Sequence, residues 1–126
     1  MGREENKVQK AGLEYINSNG YLADRNMPIR GGKLFRVNSK GIRGRKSTLP
    51  DGFSDLAGYV IIKRFLTIPV YAEAKAPEEE CKNPDQLKFI RERREDGAIA
   101  FWFNSLNDFK YKLYHEIIRV KKLFEV

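Results

Sequence analysis

Three charged side chains lie at spacings that suit phosphate chemistry. Residues 71–77 contain Glu73 and Lys75 directly after an apolar run, and Asp55 follows a glycine turn earlier in the chain. Side chains alternate between the two faces of a strand, so Glu73 and Lys75 project to the same side. A carboxylate and an ammonium group near a strand end could hold a metal ion and a phosphate together. They could also form an ordinary exposed ion pair.

A shared cation is the first interpretation. If the strands of Asp55 and Glu73 are neighbours, the two residues lie about 5 Å apart and can bind one metal ion. Mg²⁺ accepts a few protein oxygens and retains several waters, so these two carboxylates, a backbone carbonyl and a phosphate oxygen would suffice. Bound metal lowers the pKa of a coordinated water, and Lys75, about 7 Å along the same face, could orient that water or stabilise developing charge. Gln86 follows in the first turn of the next predicted helix and could reach the same sheet end.

The elements that would position these groups follow from apolar periodicity and turn residues. The pattern predicts a first helix, two short strands, a long glycine-containing loop and then two longer strands that pair as a hairpin. In chain order these segments are residues 4–18, 21–23, 34–37, 38–52, 55–66 and 68–75. A loop with Met27-Pro28 and Gly31-Gly32 separates the two short strands.

The second half of the chain predicts a helix, a strand and a helix. Asn83 is a suitable N-cap, Pro84 suits the first helical position, Gln86 occupies the capping-box position, and Gly97 marks the end of the helix. Residues 98–103 are nearly continuously apolar, as expected for a strand covered on both faces. Strand, helix and strand in succession predict a parallel crossover. We therefore expect one α/β domain over residues 1–126, with a central mixed sheet flanked by helices.

The last helix is predicted to start near Asn107-Asp108 and to be apolar on two sides. The first stripe comprises Phe109, Leu113, Ile117, Val120 and Phe124, and the second comprises Tyr111, Tyr114 and Ile118. Such a helix has more apolar surface than one sheet can cover, so the second apolar stripe is interpreted as a possible dimer contact. His115 is expected to be a surface or packing residue.

Charge and composition narrow the class of protein. The net charge of +7 over 126 residues favours polyanionic partners, nucleic acid before acidic membrane. One cysteine, Cys81, and one histidine, His115, are too few for a structural zinc site, and a lone cysteine suits a reducing compartment. The first residues are charged rather than apolar, and the apolar runs are too short to span a bilayer. The expectation is a soluble, cytoplasmic protein without membrane association.

Basic residues are concentrated in one segment that contains no Asp or Glu. The eight are Arg25, Arg30, Lys33, Arg36, Lys40, Arg43, Arg45 and Lys46. Cations separated by glycines suit contacts with a phosphate backbone, because such contacts need positive charge but no particular arrangement of side chains. The alternative is a solvated surface loop.

The order of these residues resembles the PD-(D/E)xK nuclease superfamily. More narrowly it is similar to the stand-alone VRR-Nuc domains of bacteria and phages, which are related to the nuclease domain of the Fanconi-associated nuclease. The matching motifs are Glu5-Asn6-Lys7-Val8-Gln9, Gly52-x-Ser54-Asp55-Leu56, Glu73-Ala74-Lys75 and Gln86-Leu87-Lys88-Phe89. The segments Arg25-Asn26 and Val37-Asn38-Ser39-Lys40-Gly41 resemble the basic hairpin of that family, and the match covers most of the chain. Ser54 replaces a proline found in many relatives, and the eponymous Val-Arg-Arg triplet is absent.

The resemblance implies a restriction-endonuclease-like core and specific roles for the residues. Asp55 and Glu73 would bind Mg²⁺ or Mn²⁺ with the help of the Ala74 carbonyl. Lys75 would be catalytic, Gln86 would support the site, and Glu5 would tune it. Glu14, one helix face away, is the alternative to Glu5.

The resulting hypothesis is a metal-dependent DNA endonuclease. By resemblance it would be a homodimer that is selective for branched DNA, including four-way (Holliday) junctions. Two alternatives stay open: a non-catalytic nucleic-acid-binding module that uses the same basic surface, and a sequence-specific restriction-type nuclease.

Overall fold

The computed structural model describes residues 2–24, 26–37 and 48–125. Its elements form one four-stranded mixed sheet with helices on its two faces. They are α1 (Arg3–Asn17), a 3-10 helix (Gly20–Ala23), β1 (Gly31–Arg36), β2 (Leu56–Lys63), β3 (Leu66–Ala74), α2 (Pro84–Glu95), β4 (Ile99–Phe103) and α3 (Leu106–Leu123). The strand order is β1-β2-β3-β4. The predicted α/β class is therefore confirmed.

Strand pairing brings the ends of β2 and β3 together. The two strands pair antiparallel as predicted, with Leu56 opposite Ala72. This register places Asp55, one residue before β2, beside Glu73 near the end of β3. The predicted crossover through α2 is also confirmed, because β4 runs parallel to β3 with Trp102 opposite Glu73.

Local signals at both ends of α2 are correct. The Asn83 side chain accepts hydrogen bonds from the amides of Asp85 and Gln86 at 2.9 and 3.1 Å, and Pro84 is the first helical residue. Gly97 follows the helix with φ of +93°, a conformation that glycine adopts without steric cost. The capping-box role predicted for Gln86 is wrong, because its side chain instead faces Glu73 on the sheet.

The main core lies between the sheet and the helices α1 and α3. Phe103 and Phe109 pack edge to face, with ring centroids 4.9 Å apart. A Cβ at Gly12 would lie 3.1 Å from the Phe109 ring, so this glycine allows α1 to approach α3 closely. On the other face, Phe89 of α2 packs against Tyr71 of β3 at 5.5 Å. The prediction that the last strand is covered on both faces is confirmed by the burial of Ile99 through Phe101 and of Phe103.

The outer edge of β4 is covered by side chains of α3. Lys112 donates a hydrogen bond to the Trp102 carbonyl at 2.8 Å, and Glu116 accepts one from the Ala100 amide at 3.1 Å. Arg119 donates to the Ala98 carbonyl at 2.7 Å. These bonds satisfy alternate backbone groups of an edge strand that would otherwise be a template for pairing with another chain.

Two element predictions need correction. Residues 21–23 form a 3-10 helix rather than a strand, because Asn19 adopts a left-handed conformation and reverses the chain in a turn closed by short-range hydrogen bonds. Gly31 and Gly32, predicted in a loop, belong to β1, where a Cβ at Gly32 would lie 2.8 Å from the Tyr59 carbonyl oxygen. The last helix begins at Leu106 after a Ser105 cap, in agreement with the predicted start near Asn107-Asp108.

The two apolar stripes predicted for α3 differ in burial. Phe109, Leu113, Ile117 and Val120 are buried, whereas Phe124 lies beyond the helix and is exposed. In the second stripe Tyr111 is 65% exposed, and Tyr114 and Ile118 are partly buried. His115 is exposed and stacks edge to face on Tyr111, as predicted for a surface residue. Among the described residues, no helix is both long and apolar enough to cross a membrane.

Candidate metal centre

Three carboxylates from three separate elements converge at one end of the sheet. Glu5 lies in the first turn of α1, Asp55 precedes β2, and Glu73 lies near the end of β3. One oxygen from each lies within 4.8 Å of the others. Glu14, the alternative to Glu5, is exposed and lies 3.7 Å from Lys10. The fold therefore brings Glu5 into the cluster and leaves Glu14 outside it.

Asp55 and Glu73 hold each other in place through backbone amides. The Asp55 amide donates to Oε1 of Glu73 at 3.2 Å. In return, the Ala74 amide donates to Oδ2 of Asp55 at 3.1 Å. This reciprocal pair orients both carboxylates, and each keeps its second oxygen outside the pair. The predicted role of the Ala74 carbonyl as a metal ligand stays a prediction.

The turn before Asp55 is shaped by Gly52 and Ser54. Gly52 has φ of +79°, and a Cβ there would lie 2.2 Å from the carbonyl oxygen of Asp85 in α2. Ser54 is buried, and its hydroxyl donates to the Leu56 carbonyl at 2.7 Å. The Ser54 hydroxyl thus forms a local hydrogen bond within this turn. The turn packs directly on the first turn of α2.

Lys75 and Gln86 complete the cluster. Nζ of Lys75 donates to Oε1 of Gln86 at 2.8 Å, and Nε2 of Gln86 donates to Oε2 of Glu73 at 3.0 Å. Nζ of Lys75 also lies 3.9 Å from Oε2 of Glu73. The side chains of Glu73 and Lys75 are 3% and 15% exposed, so the alternative of an ordinary exposed ion pair is excluded.

Burial and crowding raise the pKa of two of the carboxyl groups. Burial, followed by the nearby charge of Asp55, raises the pKa of Glu73 to about 9. The same two causes raise the pKa of Glu5, and the charge of Lys75 acts in the opposite direction. Added positive charge would therefore favour the ionised forms of Glu73 and Glu5. Three carboxylate oxygens in this spacing are a donor set that suits a hard divalent cation such as Mg²⁺ or Mn²⁺.

The predicted nucleic-acid-binding residues are only partly described. Arg30, Lys33 and Arg36 are exposed on or beside β1. Nε of Arg36 also donates to Oε1 of Gln9 at 2.6 Å, which ties β1 to the helix that carries Glu5. The other five residues lie outside the described parts of the chain: Arg25, Lys40, Arg43, Arg45 and Lys46.

One contact in the site was not anticipated from the sequence. The Cys81 thiol donates to Oε1 of Gln86 at 3.4 Å, and burial raises the pKa of this thiol. The Gln86 amide oxygen therefore accepts hydrogen bonds from both Cys81 and Lys75. Its position five residues before Gln86, just ahead of the helix cap, is the signal that could have indicated this contact.

Comparison of the chain with models of known protein families, with curated proteins and with solved structures finds no match.

Proposed function

We propose that this protein is a metal-dependent endonuclease that hydrolyses DNA phosphodiester bonds, built on a PD-(D/E)xK core of the VRR-Nuc type. The observation that carries the proposal is the convergence of Glu5, Asp55 and Glu73 within 4.8 Å, with Lys75 beside them. Chance pairs of carboxylate and lysine are common on protein surfaces. A partly buried set drawn from α1, the residue before β2, the end of β3 and the start of α2 is a stronger indication of chemistry.

Asp55, Glu73 and Glu5 would hold Mg²⁺ or Mn²⁺, with the Ala74 carbonyl as a further ligand. The chemistry that such an ion supplies is polarisation of the scissile phosphate and a lowered pKa for a bound water. The protein's contribution is to fix the ligands in advance. The amides of Asp55 and Ala74 do this, since each is bonded to the carboxylate of the neighbouring strand.

Lys75 would place a positive charge where negative charge develops on the phosphate. Its ammonium group is held by the Gln86 amide oxygen at 2.8 Å and is therefore oriented before substrate binds. Preorganised charge of this kind stabilises a transition state without the cost of rearranging solvent. Gln86 acts as a positioning residue, because its other amide atom holds Glu73.

The DNA would be bound through the exposed basic residues Arg30, Lys33 and Arg36 and the net charge of +7. Phosphate contacts of this kind supply affinity without sequence preference. Selectivity for branched DNA such as four-way junctions, and action as a homodimer, are proposed from the family resemblance. A cytoplasmic location is proposed from the lone, buried Cys81.

A cleavage panel tests the proposal. Purified protein is incubated with end-labelled duplex, flap and four-way-junction DNA in Mg²⁺, Mn²⁺ or EDTA. We expect cutting in either metal and none in EDTA, with loss of about a hundredfold or more in Asp55→Asn and Lys75→Ala. Glu14→Gln, which removes an exposed carboxylate from α1, is the matched control and should cut normally. Full metal-dependent activity in both site variants would refute the site assignment.

The same panel separates the alternative classes. DNA binding with steep salt dependence but no cutting on any substrate would indicate a non-catalytic binding module. Cutting at one sequence in linear duplex, with indifference to branching, would indicate a restriction-type nuclease.

A further inference from the structure

The sheet has one face that its helices cover unevenly. Helices α1 and α3 lie on one face, and α2 packs on the opposite face beside β3 and β4. On the part of that opposite face formed by β1 and β2, two large aromatic side chains reach solvent. Phe35 is 54% exposed and Tyr59 is 39% exposed. Exposed aromatic rings on a sheet face indicate a surface used for binding.

The strand register places these rings beside a lysine. Lys33 lies opposite Tyr59, and Phe35 lies opposite Ala57, two residues along each strand. Residues two apart on a strand share a face, and diagonal neighbours across a strand pair lie about 7 Å apart. Lys33, Phe35 and Tyr59 therefore form one contiguous patch, which we name the aromatic platform. The exposed Pro69 lies opposite Tyr59 on β3 and extends this platform towards α2.

The aromatic platform lies on the same sheet face as Glu73. Ala57, the partner of Phe35, is itself paired with Tyr71, and Glu73 follows two residues later. Two strand spacings across and two residues along give a separation of about 12 Å between Phe35 and Glu73. That distance corresponds to three or four base steps at about 3.4 Å each. A strand on the platform could thus present a phosphate to the carboxylate cluster.

We infer that the aromatic platform binds single-stranded DNA by stacking bases on Phe35 and Tyr59. This inference depends on the proposed function and specifies its substrate as DNA with an unpaired segment next to the scissile phosphate. Stacking on aromatic rings tolerates any base, because every base has a π-face. The charge of the platform is complementary to a phosphate backbone. Within β1, β2 and β3 the one carboxylate is Glu73, which is buried in the carboxylate cluster.

Charge also argues against a second copy of the chain as the occupant. A two-fold dimer through this face would bring each copy's Lys33 close to the same positive patch. Within the three strands, no exposed carboxylate is available to compensate that repulsion. A phosphate backbone supplies the missing negative charge, and its bases supply the flat apolar surface that the rings require.

Binding is tested in EDTA, so that cleavage does not interfere. Fluorescence anisotropy follows a labelled oligothymidine of about 15 nucleotides and a duplex of equal length. We expect Phe35→Ala and Tyr59→Ala each to weaken single-strand binding by about 5- to 150-fold and to leave duplex binding nearly unchanged. Tyr111→Ala, which removes a 65% exposed ring from α3, is the matched control and should bind normally. Unchanged single-strand binding in both platform variants would overturn the inference.

The unaltered protein provides an independent test. An oligonucleotide that contains bromodeoxyuridine should cross-link under ultraviolet light to the β1 and β2 peptides that carry Phe35 and Tyr59. Cross-links confined to other peptides would overturn the inference. So would a protein dimer that Phe35→Ala converts to monomer, since this face would then be an interface between copies. Single-strand binding that requires Phe35 and Tyr59, without cleavage of any DNA, would support the aromatic platform and refute the proposed nuclease activity. DNA cleavage by a protein whose single-strand binding does not require these rings would support the nuclease activity and refute the platform.

Discussion

Replacing Glu73 by glutamine is expected to stabilise the metal-free protein while removing its response to metal. The wild-type carboxyl group is buried, and its pKa is raised from 4.5 to about 9. At pH 7 the folded protein therefore holds a proton on Glu73 that the unfolded chain has released. An amide has the shape of the protonated carboxyl group and needs no proton, so the substitution removes this cost of folding.

The magnitude follows from the difference between pH 7 and the unfolded pKa. About 2.5 pH units at 1.36 kcal/mol each give an upper value of about 3 kcal/mol. Glu73 accepts hydrogen bonds from the Asp55 amide and from Gln86, and the glutamine amide group cannot accept both. The loss of one bond offsets part of the stabilisation, so we expect the variant to be more stable by about 1–3 kcal/mol. For a chain of this size each kcal/mol corresponds to roughly 4 °C in Tm.

The assay is thermal unfolding followed by circular dichroism, with and without Mg²⁺ or Mn²⁺. Metal at a hundred times its Kd should stabilise the wild type by about 2.7 kcal/mol and the Glu73→Gln variant by almost nothing. The advantage of the metal-free variant should disappear near pH 4.5, where both states of the wild type are protonated. Glu14→Gln should change neither quantity. A metal-free Glu73→Gln protein that is less stable than wild type at pH 7 would show that protonation of Glu73 does not burden folding.

Three further predictions concern the site and its supports. Because a bound metal ion must displace the proton on Glu73, the apparent Mg²⁺ affinity should rise by up to about tenfold per pH unit between pH 6 and pH 8. Calorimetry measures this affinity, and an affinity that does not change with pH would contradict the raised pKa of Glu73. Glu116→Ala should lower the free energy of unfolding in urea by about 1–3 kcal/mol and promote aggregation, because the buried Ala100 amide loses its acceptor and the β4 edge is uncovered. The partly exposed Arg94 also loses its ion-pair partner. Unchanged stability would show that the edge contacts are dispensable. Gly52→Ala should abolish cleavage, because the new Cβ would force the Asp55 turn away from α2. Gly97→Ala is similarly strained in φ, but its Cβ would lie 3.6 Å from the Phe124 ring, so this variant should cost stability alone.

Local patterns in the sequence predicted most of the elements. The Asn83-Pro84 start of α2 and its Gly97 end are determined by backbone hydrogen bonding and steric freedom within a few residues, so they can be derived without knowledge of the fold. The alternation of residues 68–75 likewise predicts that Glu73 and Lys75 share a face, as their 3.9 Å separation confirms. The strand predicted at residues 21–23 fails because three residues carry too little pattern to distinguish a strand from a turn.

The convergence of the site was decided by tertiary structure. Glu5 and Glu14 both lie on α1, and only the packing of that helix against the sheet determines that Glu5 reaches Asp55. Gln86 has the sequence position of a capping residue, yet it hydrogen-bonds across to Glu73, because the crossover places the start of α2 above the end of β3.

The periodicity of the elements, the helix caps and the set of charged residues available for chemistry can be derived from the amino-acid sequence, since each depends on neighbours within a few positions. Tertiary structure decided which carboxylates share one site, how Lys112, Glu116 and Arg119 cover the edge of β4, and which sheet face stays open around Phe35. These features depend on strand register and helix packing, which join residues far apart in the chain. The pKa of Glu73 has the same origin, because burial and the proximity of Asp55 exist only in the folded protein.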